Sequence, residues 1–366
     1  MKYYLIAGEA SGDLHGSNLI YSLQKFDPQS ICKGFGGDKM SDAGCEITLH
    51  IRELAIMGFT EVLLKLNKIK KNINLCKKDI REFKPDAIIL IDFGGFNLKI
   101  AKYAQTLNIP VHFYISPKVW AWNTKRAYKI KNLVDKMYVI LPFEKEFYKK
   151  FDWDVHYVGN PVMDSIAKFV PDSNFMNKHD LPPQYIALLP GSRKQELKKI
   201  TPLFLDLIKS RSKDFFVIPA VSSLEKVEYS EYGKLENAKV IYDDSYNILN
   251  NATAAVVTSG TATLETACFN IPQVVVYKAG FLSYHIGKAV IKVNYISLVN
   301  LIADKPVVKE LIQHDVEINT INRELSQLID NEEYRNQMRQ NYQFVMKVIG
   351  NQNASQTTAK LIVDSF

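Results

Sequence analysis

The sequence predicts an α/β protein built of two doubly wound domains in tandem, each a parallel sheet covered by helices on both faces. Three observations predict it. Short β-rich runs alternate with amphipathic helical patterns, as parallel strands joined by helical crossovers require. The runs form two series separated by a polar, proline-bearing stretch. The chain has 366 residues, enough for two domains of roughly 100–200 residues each.

In the first series the expected strands are Tyr3–Ala7, Ala87–Ile91, Val111–Ile115 and Met137–Ile140, each followed within two residues by Gly, Pro, Asp or Ser. Helical patterns lie near Leu14–Phe26, Leu98–Leu107 and Phe143–Lys150. The second series gives strands Tyr185–Leu189, Phe215–Ile218, Lys239–Tyr242, Ala254–Thr258 and Gln273–Tyr277. Between them, the polar, proline-bearing stretch from Val170 to Pro183 marks the expected hinge. From Asn331 onward two polar-faced helices are expected. The expected domains are therefore 1–170 and 171–340, with 341–366 packing back on the first. Two such sheets are expected to face each other across a central cleft, with ligands beyond the carboxyl ends of the strands.

Hydrophobic residues make up 47% and charged residues 23%, which excludes a disordered or fibrous chain. The net charge of +7 suits phosphate, nucleotide or anionic lipid. Cysteines 32, 45, 76 and 268 form no Cys-x-x-Cys pair and read as reduced thiols of a cytoplasmic protein. The apolar start, Met1 to Ala7, is too short for a signal peptide. No apolar run approaches the roughly 20 residues of a membrane span.

Two turns in the second series carry the clearest chemistry. Pro190-Gly191-Ser192-Arg193 follows a strand and opens a helix. Glycine lets backbone approach a ligand, Ser192 is the expected N-cap, and the helix start offers unpaired N–H groups. Arg193 adds a two-pronged donor for phosphate oxygens. By itself this is better read as an ordinary capped turn with a surface arginine. Ser259-Gly260-Thr261 opens the next such helix, another anion-binding geometry. Glu265, about one turn on, is placed to take two ribose hydroxyls, against the bland alternative of an exposed glutamate. Both turns in one domain tip the reading to a phosphate grip.

In the first series, Gly8 to Gly16 sets Glu9, Asp13 and His15 between glycines and matches no phosphate-loop pattern. Its acids suit sugar hydroxyls or general-base work, though Ser11 and Asp13 also fit simple capping. Asp92 ends a strand, and Asn97 is placed to cap the helix after it. A structural role for Asp92 is an even match to a functional one. Asp152-Trp153-Asp154 has a metal-transferase form but lacks companion carboxylates. Ile56 to Leu66 is apolar, with lysines following it. It suits an anionic membrane surface, although a core-facing helix is the plainer account of the pattern by itself.

Six motifs together resemble the lipid-A-disaccharide synthase family. They are Gly8 to Gly16, Met57 to Leu63, Val158 to Pro161, Leu188 to Arg193, Ser259 to Glu265, and Ser297 to Ala303. They stand in the family's order from Met1 to about Gln313. The resemblance implies a glycosyltransferase of the GT-B fold, two Rossmann-like domains, in a Gram-negative lipid A pathway. It implies inverting transfer from UDP-2,3-diacylglucosamine to the 6-hydroxyl of 2,3-diacylglucosamine 1-phosphate. No metal, other cofactor or nucleic acid is expected. The acylated substrates imply a peripheral enzyme on the inner face of the cytoplasmic membrane, and this favours lipid contact by Met57, Phe59, Val62, Leu63 and Leu66. A homodimer is left open.

By the same resemblance, Arg193, Ser259, Gly260 and Thr261 hold the diphosphate, Glu265 the ribose, and Asn300 orients sugar or phosphate, with Ser192 also expected among the substrate-binding residues. Many family members carry a second aspartate, the favoured base, where this chain has Gly95. Asp92 is then the first choice for the base, ahead of Glu9, Asp13 and His15. The rival readings are another GT-B enzyme, such as a UDP-N-acetylglucosamine 2-epimerase, and a non-catalytic nucleotide- or lipid-binding protein.

Overall fold

Central strands of a parallel sheet are covered on both faces, so their sequences are apolar throughout. Ala87–Ile91 (AIILI) is buried at every position, and Lys2–Ala7 at all but its first. The computed structural model describes residues 1–54, 66–222, 224, 226–278 and 293–366. The expected lipid contacts Met57, Phe59, Val62 and Leu63, and the side chain of Leu66, lie outside the described residues.

Among the described residues the first sheet holds seven strands: β1 (Lys2–Ala7), β2 (Ile31–Gly36), β3 (Cys45–His50), β4 (Ala87–Ile91), β5 (Val111–Tyr114), β6 (Lys136–Val139) and β7 (His156–Tyr157). Their spatial order is β3-β2-β1-β4-β5-β6-β7, every pair parallel. Side chains alternate across the sheet. Tyr4 and Ile6 join one core with Ile73, Cys76 and Ile100 from helices Leu66–Phe83 and Gly94–Gln105. Tyr3, Leu5 and Ala7 join the other with Leu19 and Leu23 of helix Ala10–Phe26 and Ile362 of helix Ala354–Val363.

The second sheet holds β8 (Ile186–Leu189), β9 (Phe216–Ala220), β10 (Ala238–Tyr242), β11 (Ala254–Thr258), β12 (Gln273–Tyr277) and β13 (Lys309–Ile312). Its order is β10-β9-β8-β11-β12-β13, again all parallel. Both sheets thus follow the same doubly wound plan. The order reverses once in each, between β1 and β4 and between β8 and β11, and such switch points are where this architecture binds ligands.

The chain divides into one unit of Met1–Asp164 with Asn351–Phe366 and a second of Ser165–Gly350. The first boundary precedes the expected hinge. Phe175, within that stretch, is fully buried in the core of the second unit, and Asp172 N–H donates to Asn247 at 2.9 Å. At the other end, helix Glu332–Ile349 stays in the second unit, where the Tyr342 hydroxyl donates to Ile271 O at 3.1 Å. The return falls at Asn351 instead of 341. There the Asp164 carboxylate accepts Ala354 and Ser355 N–H at 2.9 and 3.0 Å, capping the last helix. All four cysteines are free. Among the described residues no helix is long and apolar enough to cross a membrane.

Candidate active site

At the first switch point, β1 runs into Gly8-Glu9 and β4 into Asp92-Phe93. Gly8, Glu9, Ser11, Gly12, Ile91, Asp92 and Phe93 line one narrow crevice. Asp92 and Phe93 both adopt left-handed backbone, φ 46° and 47°, a conformation bulky residues avoid. Two contacts hold them there. The Asn97 amide donates to Asp92 O at 2.7 Å, and it also reaches the carbonyls of Ile91 and Ile6. Asn97 therefore clamps the two strand ends instead of capping its helix. The Phe93 ring lies over Gly8, where a Cβ would stand 2.3 Å from it, and stacks on Phe96 at 5.4 Å.

Glu9 and Asp92 share this crevice; Asp13 and His15 do not line it. Asp13 is 4% exposed. Its carboxylate accepts Gly37, Lys39 and Met40 N–H at 2.7, 3.1 and 3.0 Å. The lone pairs of Asp13, expected among the catalytic acids, cap helix Asp38–Asp42, which supports a structural role. Burial lowers the His15 pKa to about 4, so its imidazole is neutral, and its shielded Nδ1 has no hydrogen-bond partner among the described residues.

Beyond β6, Glu144 is a buried carboxylate that motif reading passed over. It accepts Leu141 N–H at 3.0 Å, Ile140 N–H at 3.2 Å and Trp120 Nε1–H at 3.0 Å. Burial pushes its pKa up to about 7 against those donors. Glutamate at the third position of helix Pro142–Lys149 is the available signal, since it satisfies N-terminal N–H groups.

At the second switch point, β8 runs into Gly191-Ser192-Arg193 and the neighbouring β11 into Ser259-Gly260-Thr261. The two turns predicted to grip phosphate thus sit at the ends of paired strands. The N-cap of helix Lys194–Ser210 is Arg193, not Ser192. Glu196, unnoticed in the sequence, turns back into the loop. Its carboxylate accepts Ser192 and Arg193 N–H at 3.2 and 3.3 Å and pairs with the Arg193 guanidinium at 3.0 Å. An internal carboxylate therefore occupies the donors an external anion would use. Gly191 has φ 96°, and a Cβ there would meet Glu196 Oε2 at 2.5 Å, so only glycine fits.

The Ser259 hydroxyl donates to Ile296 O at 2.9 Å, while a Cβ on Gly260 would meet nothing within 4 Å among the described residues. Glu265 is half-buried, takes the Tyr246 hydroxyl at 3.2 Å, and has a pKa raised by burial. Asn300 is elsewhere engaged. It is 1% exposed; its oxygen accepts Val307 and Val308 N–H at 2.8 and 2.9 Å. Its nitrogen donates to Val308 O and Glu310 Oε1, both at 2.9 Å. Both polar atoms of the Asn300 amide, expected to orient substrate, are engaged by the segment running into β13, which supports a structural role. Among the described residues no group of three or more His, Cys, Asp or Glu gathers as a metal site.

A family model described as lipid-A-disaccharide synthetase matches residues 3–363. A lipid-A-disaccharide synthase of Syntrophotalea carbinolica is 38% identical over 99% of this chain and 94% of its own length. That of Geobacter metallireducens is 34% identical over 99% and 97%. Among solved structures, UDP-GlcNAc 2-epimerase from Neisseria meningitidis aligns with TM-score 0.68 at 16% identity, over 100% of this chain and 99% of that one. The calicheamicin glycosyltransferase CalG4 aligns with TM-score 0.63 at 13% identity, over 99% and 97%. These two likenesses establish the GT-B fold and nothing about substrate. On the sequence matches, which run nearly end to end, the chain belongs to the lipid-A-disaccharide synthase family, glycosyltransferases of lipid A biosynthesis.

Proposed function

We propose that this enzyme transfers 2,3-diacylglucosamine from UDP to the 6-hydroxyl of 2,3-diacylglucosamine 1-phosphate, giving a β-1,6 disaccharide and UDP. The observation that carries the reading is the coincidence of the family's motif turns with both switch points. An acidic turn lies at one, and a pair of anion-accepting turns lies at the other.

The second unit takes the donor. Its diphosphate displaces Glu196 from the Ser192 and Arg193 N–H groups and takes the Arg193 guanidinium, with the Ser259–Thr261 turn beside it. Glu265 accepts the ribose hydroxyls. The first unit takes the acceptor. Asp92, with Glu9 as the second choice, removes the proton from the 6-hydroxyl as that oxygen attacks the anomeric carbon. The bond from that carbon to the diphosphate breaks from the opposite face, inverting the centre. The negative charge moves onto UDP, where Arg193 and the turn N–H groups stabilise it. Acyl chains on both substrates put the reaction at the inner-membrane surface.

The test is UDP release from both acylated substrates by wild type, Asp92→Asn, Glu9→Gln and Arg193→Ala. Arg193 is exposed, so its loss leaves folding intact, and turnover falls by at least about a hundredfold. Full activity in Arg193→Ala removes the donor assignment. A wild type that ignores acylated substrates and turns over plain UDP-sugars hands the function to the epimerase-like rival.

A further inference from the structure

From Phe93 to Val134 the chain carries seven lysines and arginines and not one aspartate or glutamate. This stretch begins immediately after Asp92 and includes β5 and the loop that follows it. The loop adjoins the candidate base. Asp92 N–H donates to Tyr114 O at 3.1 Å, and Pro117 lies 3.0 Å from where a Cβ on Gly94 would stand. The next turn, Val119–Trp122, is anchored from below by Trp120, whose ring nitrogen is held by buried Glu144. That anchor leaves the following indole outside: Trp122 is 43% exposed.

Arg126 places its guanidinium over the Trp122 ring, 5.8 Å from the centroid. Among the described residues no carboxylate pairs with it. Lys118, Lys125 and Lys129 around it are exposed, and Arg126 is itself half-buried. A half-buried cation among like charges is electrostatically unfavourable until an anion arrives. An exposed indole beside it offers a flat apolar face of the size of a sugar ring. A solvated basic surface accounts for the lysines. It does not account for an arginine stacked, with no carboxylate partner among the described residues, on an exposed tryptophan in the loop that passes Gly94.

We infer that Trp122 and Arg126 form the acceptor-recognition subsite, Arg126 taking the phosphate monoester of a sugar phosphate and Trp122 the face of its sugar ring. This rests on the acceptor proposed above and adds which residues select its phosphate. Both side chains bind without taking part in bond making, so they set KM and leave kcat nearly unchanged.

The experiment uses the full chain in detergent micelles and measures UDP release with two acceptors. One is diacylglucosamine 1-phosphate and the other the same lipid without phosphate. Arg126→Ala is expected to raise KM for the phosphorylated acceptor by about tenfold or more, with no change for the dephosphorylated one. Arg126→Lys recovers part of the loss, and Trp122→Ala raises KM for both. An equal effect of Arg126→Ala on the two acceptors, or none on either, overturns the assignment. A second arm sediments the protein with phosphatidylglycerol vesicles. Loss of vesicle binding by Arg126→Ala with unchanged micellar kinetics assigns the pair to a lipid surface and also overturns it. If wild type releases UDP with neither acceptor, the proposed substrates fall first and the subsite falls with them.

Discussion

Replacing Asn300 with alanine separates a structural amide from a substrate-binding one. In the structure its oxygen is the acceptor for two buried N–H groups, those of Val307 and Val308, at 2.8 and 2.9 Å. Val307 and Val308 are 6% and 2% exposed, so water cannot take over that role. A buried donor left without an acceptor costs about 1–3 kcal/mol. Two such donors, together with the bond lost to Val308 O, give a destabilisation of about 3–5 kcal/mol. Glu310 loses less, because Ser297 N–H and its hydroxyl still donate to the same oxygen at 2.9 and 2.7 Å. For a unit of this size the loss lowers Tm by about 6–20 °C. Scanning calorimetry of wild type and Asn300→Ala reads the shift, and steady-state kinetics at a temperature where both are folded reads KM for the donor. The expected result is a large fall in Tm with donor KM little changed. A Tm within about 2 °C of wild type, accompanied by a raised donor KM, refutes the argument and returns Asn300 to the substrate.

Two further perturbations probe the first unit. Gly95 lies in the first turn of its helix, and a Cβ there meets nothing within 4 Å; Gly95→Asp should therefore be accepted without loss of Tm. If Asp92 is the base, Asp92→Asn lowers kcat by about a hundredfold or more, and Gly95→Asp restores part of that loss; no recovery in the double variant shows that a carboxylate at 95 cannot reach the acceptor. His112 is 2% exposed and burial lowers its pKa to about 4. The folded state holds it neutral while the unfolded chain protonates it below about 6.5. Its contribution is complete above that value and is lost as pH falls towards 4, about 2 kcal/mol by pH 5. Urea unfolding at pH near 7.5 and 5 should show a shallower decline in His112→Gln, and an unchanged slope disproves it.

What could be read in advance follows from where burial is two-sided. β1, β4, β8 and β11 are central strands, and their unbroken apolar runs were legible. β2, β3 and β13 were not. β2 carries Lys33, Gly34 and Gly36, β3 alternates Glu46 with Ile47, and β13 opens Lys309-Glu310. Polar residues at such positions are paid for by partners far along the chain: Lys33 pairs with Asp79 at 3.0 Å, and Glu310 serves Ser297 and Asn300. The expected hinge misled for a related reason. Its polar composition hid one fully buried side chain, Phe175, and a single such anchor decides which unit a segment joins. The site turns were legible because strand ends announce themselves, but the partner of each polar group was not. Asp13 and Asn300 matched by position and proved to be spent on backbone N–H groups.

That sorting sharpens the chemistry at the first switch point. Asp92 and Phe93 are consecutive residues in left-handed backbone, a region aspartate adopts readily but one that costs the bulky Phe93 about 1–3 kcal/mol and persists only where surroundings over-determine it. Here they do, through the Asn97 amide on Asp92 O and the Phe93 ring on Gly8. An unstrained strand end would aim the side chain along the alternation of β4, into one of the two cores. The left-handed pair breaks that alternation and places Asp92 in the crevice with Glu9. A carboxylate used only to cap a helix needs no such conformation, as Asp13 and Asp164 demonstrate, since both cap from within regular helices. The crevice shared with Glu9, with Phe93 held in strained backbone beside it, is therefore the physical reason to test Asp92 first as the base.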